Sequence, residues 1–579
     1  MTAPETTTAE TLALTPEQTR WESYAPQFGA LQQAELTPAG VPSWLSDWSE
    51  VSKAVSQTGA VLSLRADLDT ADVAAREALS TFRAGVTPPL RRAEQELRRK
   101  LLGVPDYTPA PDFVLAYRRM RDEAAFYREA NVALDVVHQQ QMQRHAEITG
   151  GQTVSFDGAE LTVPEAESLL GSADRTRREQ VWQAMARSRA TSRAPLDTLV
   201  LELLATRRQL AANADLMNTG PDNEEMGDYR AYRWQELDRV DYTPQHCLDF
   251  HRAVLDEVVP LAAKLMEGKA RQLGLERLRP WDSSRRTALD AQGRPPLTPF
   301  KTASELEGIA ERVFDALDPA LGAQFAQMRG GLLDLASRPN KMSHAYCQSL
   351  QQSGQPFVVM NVVGTAHDLN VLLHEVGHAF HFFASARAQP LIWNRWSPIE
   401  FVEVPSMAME FLALGHLEVA YLPADLERVR REQLENSILF LPWAAQMDAF
   451  QHWLYTQTGP QVSAAELDAK WLELDRAFHP WLDWSGLDES ERASGWQYYH
   501  IFRAPFYYLE YAMCSLGALG IWKSALQDAP AALERYKSAL SLGNTVSVPE
   551  LYRAAGVEFR FDRPHLAELM AFVTAQLGS

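Results

Sequence analysis

Two imidazoles four residues apart, with a carboxylate beside the first, stand in the segment VLLHEVGHAFHFFA (371–384) as His374, Glu375 and His378. On a helix, residues four apart share a face, so both imidazoles can point at one metal ion. Glu375 is placed to take a proton from metal-bound water. Apolar residues flank the pair. Burying two histidines and a glutamate without partners is costly, and a metal removes that cost.

A catalytic zinc takes three protein ligands and keeps one position open. A glutamate 19 residues after the second histidine is ruled out, because position 397 is Ser397; a histidine six residues after it is ruled out, because position 384 is Ala384. The next carboxylates are Glu400, Glu403 and Glu410, in PIEFVEVPSMAMEFLALGHLE. Glu403 and Glu410 lie seven residues apart on one helical face with Ser406 between them. One can ligate while the other orients a ligand. His381 shares the face of His374 and His378; it could ligate, but a role supporting or packing against the ligands is favoured.

These side chains need a helix to hold them. Thr365 with Asp368 forms a capping-box signature, and Leu369, Leu372, Leu373, Val376 and Ala379 supply an apolar side. Just upstream, PFVVMNVVG (356–364) is short, rich in β-branched residues and bounded by Pro356 and Gly364, which predicts a strand. Elsewhere apolar residues recur at three- and four-residue steps, predicting helix over about 21–148, 165–275, 303–336 and from Thr365 almost to the end. Pro88 to Leu102 reads as a solvated helix face. Asp157-Gly158 between two alternating runs predicts a hairpin near 153–163. A polar break falls at 218–228, and a proline-rich loop at 276–300. The expected organisation is a flexible tail (1–20), a helical N-terminal domain (21–190) and a helical catalytic domain (191–579). The fold class is mainly α, with a small β patch next to the active-site helix.

Lys and Arg number 55 against 75 Asp and Glu, a balance of −20. So acidic a surface repels phosphate backbones and anionic lipid, and argues against nucleic acid and membrane partners. The cysteines, Cys247, Cys347 and Cys514, are far apart and read as reduced, buried thiols of a cytoplasmic protein. The other histidines, His251 and His452 among them, show no ligand spacing. No G-x-S-x-G occurs, and no cysteine has a nucleophile's local context.

HEVGHAFH followed by FVEVPSMAME resembles the oligopeptidase family that includes thimet oligopeptidase, neurolysin and oligoendopeptidase F. PFVVMNVVGTAHDLNVLLHEVGHAFH resembles that family's edge strand and active-site helix, and HIFRAPFYYLEYAMCSLGALGIW (500–522) its C-terminal His/Tyr segment. The resemblance implies a large helical zincin-type body with a deep substrate cleft or channel. It also implies one Zn2+ per chain, held by His374, His378 and Glu403, the last 25 residues after His378. Glu375 becomes the general base, and His500, Tyr507 and Tyr511 donate to the oxyanion. His381, Ser406 and Glu410 support the ligands. Val359, Asn361, Gly364 and Tyr508 bind substrate, the strand edge pairing with an extended peptide and Gly364 allowing close approach. The chain departs from the oligoendopeptidase F pattern at Leu509, where that pattern has tyrosine, and at Cys514, where it has glycine.

The implied activity is that of a zinc metalloendopeptidase acting on internal bonds of short, unstructured oligopeptides. One alternative is a metallocarboxypeptidase of similar fold, with an arginine such as Arg503 for the free carboxylate. Another is a peptide-binding protein with a structural zinc, against which the intact Glu375 argues.

Overall fold

Among the described residues, runs of Ala, Leu, Arg and Glu broken by short β-branched segments fold as long helices and three small sheets. The computed structural model describes residues 10–219, 225–282, 294, 297–457 and 462–578. The chain forms two compact units interleaved along its length. One is built from Met1–Ala125, Thr298–Leu426 and Gly517–Phe559, the other from Phe126–Leu297, Glu427–Leu516 and Arg560–Ser579. The domain boundary expected near residue 190 falls inside a single helix, Arg175–Asn213.

In the first unit, helices Val41–Leu68 and Val73–Leu102 share a core of Trp44, Trp48, Phe82, Val86, Leu97 and Leu101. Pro88 and Pro89 lie inside the second helix rather than at its start. Ala93, Leu97 and Leu101 are buried, so Pro88–Leu102 carries a core stripe as well as a solvated face. The expected tail is shorter than 20 residues. Residues 1–9 lie outside the described ones, but Leu12 is buried and its carbonyl accepts from Arg65 Nε at 2.8 Å.

The expected helix over 303–336 ends early. Helices Ala303–Leu317 and Pro319–Arg329 stop at Gly330 and Gly331, and the φ of +114° at Gly331 turns the backbone out of helical geometry. The chain continues as a strand, Leu333–Ala336, which we call β5 by its place among the seven strands of the described residues. β6 (Tyr346–Leu350) and β7 (Gln355–Val362) follow. β5 pairs with β7 in parallel (Leu333 opposite Val358), and β6 pairs with it antiparallel (Tyr346 opposite Val359). The sheet order is β5-β7-β6. The predicted strand is therefore present, but it is the middle strand, not an edge. Both of its sides carry a ladder, and Phe357 to Met360 are buried, which suits its unbroken apolar run.

The second unit holds the predicted hairpin, β1 (Thr153–Phe156) and β2 (Ala159–Thr162), in the register Thr153–Thr162. Asp157 and Gly158 both have positive φ, +52° and +78°, as a two-residue turn of this hand requires. In the polar break, β3 (Met217–Thr219) pairs with β4 (Glu225–Gly227); residues 220–224 lie outside the described ones, as does most of the expected proline-rich loop. Two sets of buried charges in this unit are paired. Arg239 meets Glu510, and Asp282 accepts from both Arg175 and Arg178.

Candidate active site

The site helix, Ala366–Ala388, begins with the predicted capping box. Thr365 Oγ1 accepts from Asp368 N at 3.3 Å. Asp368 Oδ2 collects three amides, those of Val363 (3.0 Å), Gly364 (2.8 Å) and Thr365 (2.9 Å). One carboxylate thus joins the end of β7 to the first turn of the helix. Gly364 has φ +98°, and a Cβ there would stand 3.0 Å from the Phe300 carbonyl. The turn alone accounts for this glycine.

Two turns further on, His374 and His378 project together, ring centroids 5.0 Å apart. Glu403 occupies the residue just before a second helix, Val404–Leu412, which lies hard against the first, and its side chain makes no capping bond to that helix. The approach passes over Gly377, where a Cβ would come within 2.6 Å of Ser406 Cα and 2.8 Å of the Pro405 carbonyl. Two buried tyrosines brace the Glu403 loop from behind. Tyr552 donates to the Glu400 carbonyl and Tyr536 to that of Pro405, both at 2.8 Å.

Glu403 Oε2 stands 3.3 Å from His374 Nε2 and 3.2 Å from His378 Nε2. The ligand atoms of the three residues lie within 4.8 Å of one another, a set that could hold a metal ion. The Ser406 hydroxyl donates to Glu403, to Oε2 at 3.1 Å and to the carbonyl at 2.9 Å. His374 Nδ1 donates to Glu410 Oε1 at 2.7 Å, and Asn370 Nδ2 to Glu410 Oε2 at 2.8 Å. Glu410 therefore fixes the ring so that Nε2 faces Glu403 and His378. Glu400, also buried, is not one of the three.

The charges are mutually dependent. Burial alone would lower the pKa of His374, but hydrogen bonds and charge from Glu403 and Glu410 outweigh it and raise it well above the usual imidazole range. Burial would raise Glu403, but His378 and His374 hold it well below the carboxylate range. The cluster demands positive charge at its centre. Glu375 is 7% exposed; burial raises its pKa against the opposing pull of His378 and His374.

His381 stands apart from the three. It shares a 2.8 Å hydrogen bond with Ser397 Oγ, and burial, then the charge of His378, brings its pKa down to about 3, so it is a neutral packing residue. The strand residues expected to bind substrate at an edge are engaged otherwise. Val359 is fully buried and paired on both sides. Asn361 Nδ2 donates to the Met342 carbonyl, and Lys341 Nζ to that of Met360, both at 2.5 Å.

In the second unit, His500, Tyr507, Tyr508 and Tyr511 form one ring cluster. His500 lies 4.7 Å from Tyr508, 6.0 Å from Tyr511 and 6.5 Å from Tyr507. Burial lowers the pKa of His500 to about 4, leaving a neutral imidazole. Trp443 Nε1 donates to the Tyr508 hydroxyl at 3.0 Å. Phe506, just before the cluster, has φ +63°, held by a bond from its amide to Gln451 Oε1 at 2.6 Å. Such strain in a buried aromatic persists only where its surroundings enforce it. Arg503 lies over the Tyr499 ring, 5.5 Å from its centroid.

Sequence reasoning passed over Asn370, Gly377, Tyr536 and Tyr552. Only Gly377, a glycine between two candidate ligands, left a readable signal.

The model of peptidase family M3 matches residues 168–571. The oligoendopeptidase F homolog of Borreliella burgdorferi is 23% identical over 266 residues, 44% of each chain. Oligopeptidase PepF of Bacillus subtilis is 24% identical over 253 residues, 42% of this chain and 37% of its own. The chain thus aligns with less than half the length of these two relatives. The structure of PZ peptidase A with an inhibitor superposes at a TM-score of 0.85 with 22% identity, over 96% of each chain, a likeness of fold. With the family model spanning well over half of its length, the chain belongs to peptidase family M3.

Proposed function

We propose that this chain is a zinc-dependent endopeptidase that cuts internal bonds of short, unstructured peptides. The observation that carries the reading is the convergence of His374, His378 and Glu403 with Glu375 beside them. Donors placed tetrahedrally around one zinc at about 2.1 Å stand about 3.4 Å apart; the two separations from Glu403 Oε2 are 3.2 and 3.3 Å. Two imidazoles and a carboxylate are also the donor set that zinc takes in catalytic sites.

When bound, zinc supplies Lewis acidity to water and to the scissile carbonyl. The chain's own residues do the rest. Glu375 accepts a proton from the attacking water and returns it to the departing amine. Glu410 and Asn370 keep His374 in the tautomer that offers Nε2. We assign to His500, Tyr507 and Tyr511 the donation of N–H and O–H groups to the carbonyl oxygen as it gains charge. The support for that assignment is the matching segment at 500–522 and the clustering of these rings. Restriction to short peptides follows from the family resemblance, and the three free cysteines suit a reducing, cytoplasmic compartment.

The test is cleavage of an internally quenched peptide blocked at both ends, by the wild type and by Glu375→Gln, with zinc measured in each. The wild type is expected to cut and the variant to lose at least about 10²-fold in kcat, with equal zinc. A blocked peptide that survives while one with a free C-terminus is shortened would replace the endopeptidase with a carboxypeptidase. Active protein without metal would overturn the reading altogether.

A further inference from the structure

A second cluster of ligating side chains lies wholly within the second unit, built from helix pairs that the sequence keeps far apart. Cys247 and His251 stand four residues apart on helix Pro244–Ala253, and Asp448 and His452 four apart on helix Pro423–Thr456. Each pair therefore presents its side chains on one face. Cys247 and Asp448 are fully buried, His452 is 3% exposed and His251 6%. The ligand atoms of Cys247, Asp448 and His452 lie within 4.8 Å of one another. Asp448 Oδ2 is 2.8 Å from His251 Nε2 and 3.3 Å from His452 Nε2.

Two atoms of this cluster are left short of partners. Among the described residues, Asp448 Oδ1 has no hydrogen-bond partner, and His452 Nε2 makes no hydrogen bond beyond its 3.3 Å approach to Asp448 Oδ2. A buried carboxylate oxygen and a buried ring nitrogen each carry a desolvation cost when left unpaired. The neighbouring cations do not remove it. Arg239 is paired with Glu510, and Arg230 reaches only Nδ1 of His452, at 3.5 Å, too long to fix the ring's tautomer. A cation between the thiol, the carboxylate and the imidazole would satisfy both atoms at once. The helix also changes to a π-turn, Val254–Val258, which begins three residues after His251; such turns recur at functional positions.

We propose that Cys247, Asp448 and His452 form a second metal site, of the zinc class and structural in role, with His251 orienting the Asp448 carboxylate. Sulfur and nitrogen donors exclude magnesium and calcium as the natural occupants. Complete burial fits a closed site that ties two distant helices together rather than one that exchanges substrate.

The site containing His374 has no sulfur ligand, so thiolate-to-metal charge transfer reports on a cysteine site alone. Metal-free, full-length protein titrated with cobalt(II) is expected to develop such absorption in the near ultraviolet, saturating at about one ion per chain. Cys247→Ala is expected to abolish it while leaving the circular dichroism spectrum unchanged. Zinc content should fall from about two ions per chain in the wild type to about one in the variant. Absence of the band in the wild type would overturn the proposal, and that arm needs no variant to fold. Persistence of the band in Cys247→Ala would also overturn it, by placing the thiolate at Cys347 or Cys514.

Discussion

Gly377 and Ser406 touch backbone to backbone: the site helix meets the Glu403 helix at the one residue that has no side chain to interpose. Glycine inside a helix costs about 1 kcal/mol relative to alanine, so propensity alone favours Gly377→Ala. The steric term opposes it, because a methyl 2.6 Å from Ser406 Cα must push a helix aside, and overpacking costs about 1–3 kcal/mol. We expect the clash to win. Gly377→Ala should lower the denaturant midpoint and weaken metal retention together, because the displaced helix carries Glu403. A variant more stable than the wild type would refute this.

In the proposed site Glu410 would act on the metal through its hydrogen bond to His374. Glu410→Gln keeps the side chain's shape but removes the charge that orients Nδ1–H. Loss of such a partner weakens metal affinity by about 10–100-fold. Competition against a chelator of known affinity measures it; an unchanged affinity would leave Glu410 as packing.

Tyr507→Phe, Tyr511→Phe and His500→Gln separate charge stabilisation from packing. A lost oxyanion donor costs about 10²–10³ in kcat, with KM and metal content little changed. If all three keep wild-type kcat, the ring cluster is only a core.

His145 predicts an acid-sensitive fold. It packs against Phe502 at 4.4 Å, and among the described residues neither ring nitrogen has a hydrogen-bond partner. Burial, helped by the charge of Arg503, lowers its pKa from 6.5 to about 4. Between those values the unfolded chain binds a proton that the folded one does not. Stability from this group is therefore full above about pH 6.5 and declines as pH falls toward about 4. His145→Leu cannot titrate, so its denaturant midpoint should drop less than that of the wild type between about pH 7 and about pH 5. Parallel declines would refute the assignment.

The parts of the site that were legible in the sequence are those encoded locally. H-E-x-x-H, the Thr365–Asp368 box and the Asp157-Gly158 turn each specify geometry within a few residues. Glu403 needed the resemblance, because periodicity alone left Glu400 and Glu410 open. β5 and β6 were missed because LDLA and YCQSL are short and lack clear alternation, although Gly330-Gly331 announced a break. The central place of β7 depends on two neighbours that sequence reasoning did not see as strands. The cluster at Cys247 was invisible for another reason: its partners, Asp448 and His452, lie some 200 positions further along the chain, and only folding brings the two i,i+4 pairs together.

β7 is clamped by a ladder on each side and welded to the site helix through Asp368. Amides in such a strand exchange with solvent chiefly when the sheet opens, whereas those of a two-stranded hairpin such as β1–β2, each of whose strands carries a ladder on one side alone, exchange more readily by local opening. The helix that carries His374 and His378 thus hangs from a strand protected on both sides. On gradual denaturation the paired imidazoles should stay in register after the periphery has frayed, so that metal release reports the last step of melting rather than the first.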